Sequence, residues 1–486
     1  MKKRLFCLLL TLLMVVCVFA GCGDNTSDPS ATTTVAPVTD NTTPPPSTDV
    51  PGTTTEDPAL SLDGYHFILS YGEFTGMEPV AGTSTADELE DIYASIEEKY
   101  NITIERIFGA PSHINSAAGS ALIVAAVSGD KYADMIHSHQ MNYLPLRAMN
   151  GLRILNSPEM IEAGLDTTDG EVFNQFFTEI LQFQGEQLAF DISGKYESFD
   201  FGHMFAFNKR LVSEVGYSAD QIYQFVRDGE WTYDKMLEIA GKITKDVDGD
   251  GNTDIWGISL DCDGNEIYSN SAAPILINDD GTATVNLDDP AILDAMYFMS
   301  EVSGNTKYQE PVISVDGNPV TGRGGRRTNF YAGLGGFCGL YGGNFGNDTT
   351  GTMEDEFGVV PIPKGPNADH YMMNMVDTEG FIMLRTNSDY AKSIPIIKEI
   401  GRAFTSMDDY LAVVLDEFRG DEQALEMLTE YCLPNATMNY AKASNDLYQF
   451  FRKTVMHAVY TKELSPAAIA ETYGAQLQSM LDAVFR

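Results

Sequence analysis

The residues best arranged for chemistry are Asp246, Asp248, Asp250, Asn252 and Asp254. Oxygen-bearing side chains at alternate positions, with glycines for the turn, follow the order of an EF-hand calcium loop. The twelfth position is Gly257, not the usual bidentate Glu, so one ligand must come from elsewhere. The loop stands alone and runs into a strand, so the expected role is a single structural Ca2+. A second candidate is the pair His137 and His139. On a strand they would share a face and could hold a metal. No further His, Cys or carboxylate clusters beside them in sequence, so polar residues at the edge of a cleft are the favoured reading. The chain has no G-x-S-x-G and no H-E-x-x-H, the signatures of two common hydrolase designs. No catalytic residue and no catalytic cofactor are expected, and the chain reads as a non-enzyme. Acidic residues are nevertheless abundant enough to supply a glycosidase pair. A secreted polysaccharide-acting hydrolase is therefore the alternative function.

Cys22 carries a different chemistry. Lys2, Lys3 and Arg4 precede an apolar run from Leu5 to Phe19, followed by Ala20, Gly21 and Cys22. The run is too short to span a bilayer and has the layout of a secretory signal. Val18 to Cys22 resembles a bacterial lipobox, in which the cysteine is lipidated and becomes the new N-terminus. Residues 1–22 are thus expected to be a lipoprotein signal, and the mature protein to sit lipid-anchored on the extracellular face of the cell membrane. Residues 23–58 are dominated by Thr, Pro, Ser, Asp and Asn. Such a segment cannot bury enough surface to offset ordering and reads as a tether. Three cysteines remain beyond it: Cys262, Cys338 and Cys432. Odd in number and far apart, they read as buried free thiols, not a disulfide framework. The net charge of −40 disfavours nucleic acid as a partner.

The body is too long for one typical domain and is expected to form two lobes. Strands are expected at 65–70, 102–107 and 133–136, separated by helices over 85–100 and 115–127. Thr85 and Glu88 have the spacing of a capping box. Strand, helix, strand, helix, strand is the order of a parallel α/β sheet. In such sheets ligands bind beyond the carboxyl ends of the strands. A second α/β set follows, with strands at 204–207, 255–260, 357–362 and 381–384 and helices from Thr232 and over 292–302.

Several segments then carry a resemblance. Ala125 to Asp130 followed by Ala133 to Ile136, Phe207-Asn208-Lys209-Arg210-Leu211, Glu230-Trp231-Thr232-Tyr233-Asp234, and Phe357 to Pro363 occur in a characteristic order. Together they resemble the family 1 extracellular solute-binding proteins, the group that includes maltose-binding protein. The resemblance implies a hinged, two-lobe, type II periplasmic-binding-protein α/β fold with the ligand between the lobes. It implies a first lobe over 59–200 and 336–404 and a second over 201–335 and 405–486. Ligand contacts are expected at Tyr71, Glu73, Phe74, His137, His139, Gln140, His203, Met204, Tyr341, Asp377 and Glu379. Rings such as Tyr71, Phe74, Tyr143 and Tyr341 would stack on sugar faces, and the acids would accept hydroxyl protons. Trp231 and Trp256 are expected to be structural. The implied partners are a carbohydrate, of oligosaccharide size, and the permease subunits of an ABC importer, with the chain acting as a monomer. A solute sensor without a transport role is the other alternative.

Overall fold

The computed structural model describes residues 61–485 except 73–75, 84, 110–116, 197–200, 261–263, 304, 311–313, 316–317, 320–322, 347–349 and 376. The signal, Cys22, the tether, Cys262, Glu73 and Phe74 therefore lie outside the described residues. In chain order the strands that build the site are β1 (Tyr65–Tyr71), β2 (Ile102–Phe108), β3 (Met135–His139), β4 (Met204–Asn208), β5 (Trp256–Ser259), β6 (Gly335–Leu340), β7 (Phe357–Val360), β8 (Met373–Met375), β9 (Glu379–Ile382) and β10 (Ala436–Met438).

The first sheet has the order β9-β3-β1-β2. Strands β1, β2 and β3 are parallel, and β9 runs antiparallel against β3. Along β1, Phe67, Leu69 and Tyr71 are fully buried, as alternation on one sheet face requires. Helix α1 (Ala86–Tyr100) buries Leu89, Tyr93, Ile96 and Tyr100, spaced to fall on one face of a 3.6-residue helix. It ends at Asn101, which adopts the left-handed conformation at φ 49° and donates its N–H back to the last turn. The expected capping box does not form: Thr85 has no side-chain cap bond. Glu88 is instead drawn away to Lys195 and Tyr196. A charge-assisted pair has displaced a neutral cap.

The second sheet has the order β7-β4-β6-β5, with β4 antiparallel to β6 and β7, and β6 parallel to β5. Here the structure corrects the expected lobe boundary. Strands β6 and β7, assigned by sequence to the first lobe, pair with β4 and β5. The return to the first sheet comes between Val360 and Glu379, not at residue 336. Strand β6 is a wholly buried central strand of the second sheet. Along the crossing, β8 pairs in parallel with β10. Two further connections lie close by, where Phe190 bridges Phe381 and Gly194 bridges Thr405.

Trp231 fixes the second lobe. It is fully buried, and its Nε1–H donates to the Pro361 carbonyl at 2.8 Å. The next residue, Thr232, caps helix α2 (Tyr233–Ile243) by accepting from the Lys235 N–H. One anchor thus ties that helix to the end of β7, the structural role expected of it. Trp256 is half-buried within β5. Cys338 and Cys432 are buried free thiols, and burial pushes the Cys432 thiol well up. Among the described residues no helix is long and apolar enough to cross a membrane.

A buried polar seam between the two sheets

Strand direction decides which ends of the sheets carry the site. Strand β3 ends at His139, beside the start of β9 at Glu379, with which it is paired. Strand β6 ends at Leu340, paired with Met204 at the start of β4. His139, Gln140, Asp377 and Glu379 therefore share one edge of the first sheet. His203, Met204 and Tyr341 share one edge of the second.

Hydrogen bonds join these edges. On the first, the Met141 N–H donates to His139 Nδ1 at 3.1 Å. That places the ring proton on Nε2, which lies 2.9 Å from Asp377 Oδ1. The Lys442 ammonium contacts the same carboxylate oxygen. Burial works against charge on Asp377, but the Lys442 ammonium and the His139 N–H outweigh it. They hold the carboxyl far below its ordinary range. Two residues along β3, His137 lies 3.6 Å from Glu379 and is almost wholly buried. Burial pushes its pKa down to about 3, so its ring is neutral at physiological pH. Each histidine faces one carboxylate, and among the described residues neither belongs to a group of three metal-ligating side chains.

Gln140 carries the seam across. Its side-chain amide donates to the Asn439 carbonyl at 2.9 Å. The Asn439 side-chain oxygen accepts from the Tyr268 hydroxyl at 3.0 Å. Tyr268 closes the turn that begins Asn265-Glu266. Asn265 accepts from Asn374 at 3.1 Å, and the Asn374 carbonyl accepts from the His203 N–H at 3.0 Å. His203 Nε2 and Glu266 Oε1 are 3.4 Å apart, both side chains fully buried. A Cβ on Gly339 would meet His203 Nε2 at 2.5 Å, so glycine there is what admits the imidazole.

Several expected contacts are thus brought together, and others are not. His137, His139, Gln140, Asp377, Glu379 and His203 lie on the seam. Tyr71 does not: it occupies the core face of β1, packs edge-on against Phe108, and its hydroxyl contacts Glu78. Strand alternation sends it inward with Phe67 and Leu69. Met204 is fully buried in the second sheet. Tyr143 is also core, its hydroxyl donating to the Ser138 carbonyl at 2.8 Å. Tyr341 is half-buried, with the Arg327 guanidinium 5.1 Å from its ring centre. The sequence reading missed Glu266, Asn265, Tyr268, Asn374, Asn439 and Lys442. None of them lies in a motif. The one signal for Glu266 was its place just beyond the carboxyl end of β5.

At the acidic loop, carboxylate oxygens of Asp246, Asp248 and Asp254 lie within 4.8 Å of one another. Among the described residues this is the only group of three such ligands. Backbone N–H groups of Gly251 and Gly249 donate to Asp246 and lower its pKa. Asp250 is not part of the converging group; it accepts from the Asn252 backbone N–H and side-chain amide.

Comparison with known proteins adds the fold. No protein-family model matches the sequence, and no curated protein matches it. Solved structures do. Maltose-bound MalE3 of T. maritima superposes with TM-score 0.56 at 16% identity, covering 86% of this chain and 100% of that one. The cyclic α-maltosyl-1,6-maltose binding protein of Arthrobacter globiformis gives TM-score 0.59 at 12% identity over 86% and 100%. UgpB of Mycobacterium tuberculosis, in complex with glycerophosphocholine, gives TM-score 0.56 at 13% identity over 87% and 98%. With two α/β sheets joined by three close connections and these structural relatives, the chain has the two-lobe, type II fold of the maltose-binding-protein-like ABC solute-binding proteins.

Proposed function

We propose that the chain is a non-enzymatic receptor that captures a carbohydrate, most simply an oligosaccharide, between its two lobes and passes it to an ABC importer. The observation that carries this reading is the buried seam of amides, carboxylates and imidazoles where the two sheets meet. Such side chains at strand ends suit the hydroxyls of a sugar. The relatives support the class: one is solved with maltose and another with maltotriose. Each lobe offers half of the contacts, so a ligand seated on one half gains the other only on closure. Binding then shifts the population toward the closed form. Tyr341 supplies a half-buried ring at the second-lobe edge. Lipid on Cys22 would hold the receptor at the outer membrane face, with residues 23–58 as the tether, and the receptor acts as a monomer. The loop at Asp246, Asp248 and Asp254 is proposed to hold one structural Ca2+, away from the seam and without a role in capture.

The test is a thermal-shift screen over mono- and oligosaccharides. A ligand that binds only the folded state stabilises it by about 2.7 kcal/mol at a hundredfold excess over Kd. A melting point that no sugar raises, or release of a cleaved sugar, contradicts the proposal.

A further inference from the structure

Beside the seam, a second set of contacts joins the two lobes. In the first lobe, strands Gln182–Phe183 and Glu186–Gln187 form a hairpin. Its base is fixed to that lobe: Asn156 donates to the Gly185 carbonyl at 2.7 Å and accepts from the Gln187 N–H at 2.9 Å, and Arg147 pairs with Glu186. In the second lobe, strands Ile275–Ile277 and Ala283–Val285 form another hairpin. Gln478, on the last helix (Pro466–Val484), holds it by one strand, accepting from the Val285 N–H at 2.9 Å and donating to the Ala283 carbonyl at 2.8 Å. The two hairpins meet tip to tip, where the Gln184 side-chain amide donates to the Asn278 carbonyl at 2.8 Å. Next to Gln184, the buried ring of Phe183 packs against Tyr440 and Phe485, with ring centres 6.4 and 5.8 Å away. Phe485 directly follows the helix that carries Gln478, so the contacts run in a circuit from Gln184 through the second hairpin and the last helix back to Phe183.

The backbone at the tip points the same way. Gln184 and Gly185 both have positive φ, 54° and 74°, the two-residue hairpin turn that favours Asn or Gly at its first position. Gln is a strained choice there, and a strained residue persists where its surroundings hold it. What Gln adds is reach, since its amide extends to the other hairpin. Opposite it, a Cβ on Gly281 would come within 2.6 Å of Gln184 Oε1, so glycine there leaves room for the contact. Phe183 and Tyr440 line one small cavity together with Gln140 and Asn439 of the seam, so these contacts adjoin the strand ends. They are separate from the chain connections: Phe190 and Phe381, which bridge at one of them, pack in a different core cluster from Phe183, Tyr440 and Phe485. We propose that Gln184 and Phe183 of the first lobe, with Asn278, Tyr440 and Phe485 of the second, form a clasp that holds the lobes together when no ligand is bound. The balance between open and closed forms is then set in part by residues outside the seam, whatever the solute.

The experiment is small-angle X-ray scattering of the full, ligand-free chain. Gln184→Glu keeps the shape of the side chain but sets an acceptor and a charge against the Asn278 carbonyl, with the exposed Asp279 and Asp280 next in sequence. Phe183→Leu keeps an apolar side chain but removes both ring contacts. Each change is expected to raise the open-to-closed ratio about fivefold or more, and the double variant should show a larger radius of gyration than wild type. Gln184→Gly separates the clasp from a local role. Glycine suits positive φ, so a purely local role predicts unchanged dimensions and an equal or higher melting point. The clasp predicts a more open chain even though the turn is relieved. A radius of gyration and a pair-distance distribution that are the same in wild type and double variant overturn the inference. Should Phe183→Leu fail to fold, Gln184→Glu, at an exposed tip, decides alone by the same comparison. No sugar enters the measurement, so failure of the clasp leaves the receptor reading standing, and failure of any sugar to bind leaves the clasp to be judged by scattering.

Discussion

Replacing Lys442 with Met tests the core of the seam. The Lys442 side chain is 4% exposed and that of Asp377 is 22% exposed. Met keeps the length and the packing of the stem but removes the ammonium. Asp377 is then left with His139 as its nearest donor, in a site where burial opposes its charge. Breaking a buried ion pair by removing one partner typically costs 3–5 kcal/mol, and the residual exposure of Asp377 argues for the low end, about 3 kcal/mol at pH 7. The pH dependence gives a sharper signature. In the wild type the Asp377 pKa is depressed on folding, so its stabilisation is present above the ordinary carboxylate pKa. It is lost as pH falls through the lower folded value. Without Lys442 the charge that most opposes burial is gone and the folded pKa rises, so acidification toward pH 4 should cost the variant less stability than it costs wild type. Urea unfolding at several pH values reads both effects. A variant within about 0.5 kcal/mol of wild type at pH 7, below the size of any named mechanism for large losses, refutes the reasoning. So does a variant whose stability falls with acid as wild type does.

Further expectations follow from other residues. Asp191 is buried, accepts from the Ser193 N–H and hydroxyl, and burial pushes its pKa up to about 7. A raised folded pKa makes the group destabilising as pH climbs from about 4 to 7. Denaturation of Asp191→Asn should show a shallower decline over that window; an identical pH profile contradicts this. His137, pushed down to about 3, works in the opposite window. The wild type should lose stability as pH drops below about 6.5, and His137→Gln should lose less, measured by the same melts. Trp231→Ala removes a fully buried ring and the Pro361 hydrogen bond, so a loss of about 3–5 kcal/mol is expected in urea unfolding, and a loss under about 1 kcal/mol would deny the anchor. Calcium should raise the melting temperature, EGTA should reverse it, and Asp248→Ala should abolish most of the gain.

The architecture was legible where periodicity is local. The strand at 65–70 and the helix over 85–100 were both legible, and the helical stripe Leu89, Tyr93, Ile96 and Tyr100 is the face that the helix buries. The Trp231-Thr232 anchor was equally plain. The second crossing was not, because nothing local distinguishes a strand that closes the second sheet from one that returns to the first. The placing of Tyr71 in the cleft failed for a related reason. A residue at a strand end still obeys the alternation of its strand, and that sends Tyr71 to the core. The seam itself was half legible. His139, Gln140 and Asp377 follow from strand ends, whereas Lys442 meets Asp377 across 65 residues and Asn439 meets Tyr268 across 171. Pairings of that span leave no spacing to read. Glu88 shows the same limit at short range: its capping-box position is overruled by Lys195, 107 residues away.

The central claim is reversible capture of an intact sugar at the seam. It is tested most directly by titration calorimetry of the best-stabilising sugar against wild type and Glu379→Ala, with the sugar recovered afterwards by chromatography. The account predicts one site per chain, at least tenfold weaker binding in the variant with its fold retained, and a sugar returned unchanged. Equal affinity in the two proteins, or a sugar returned cleaved, would contradict it.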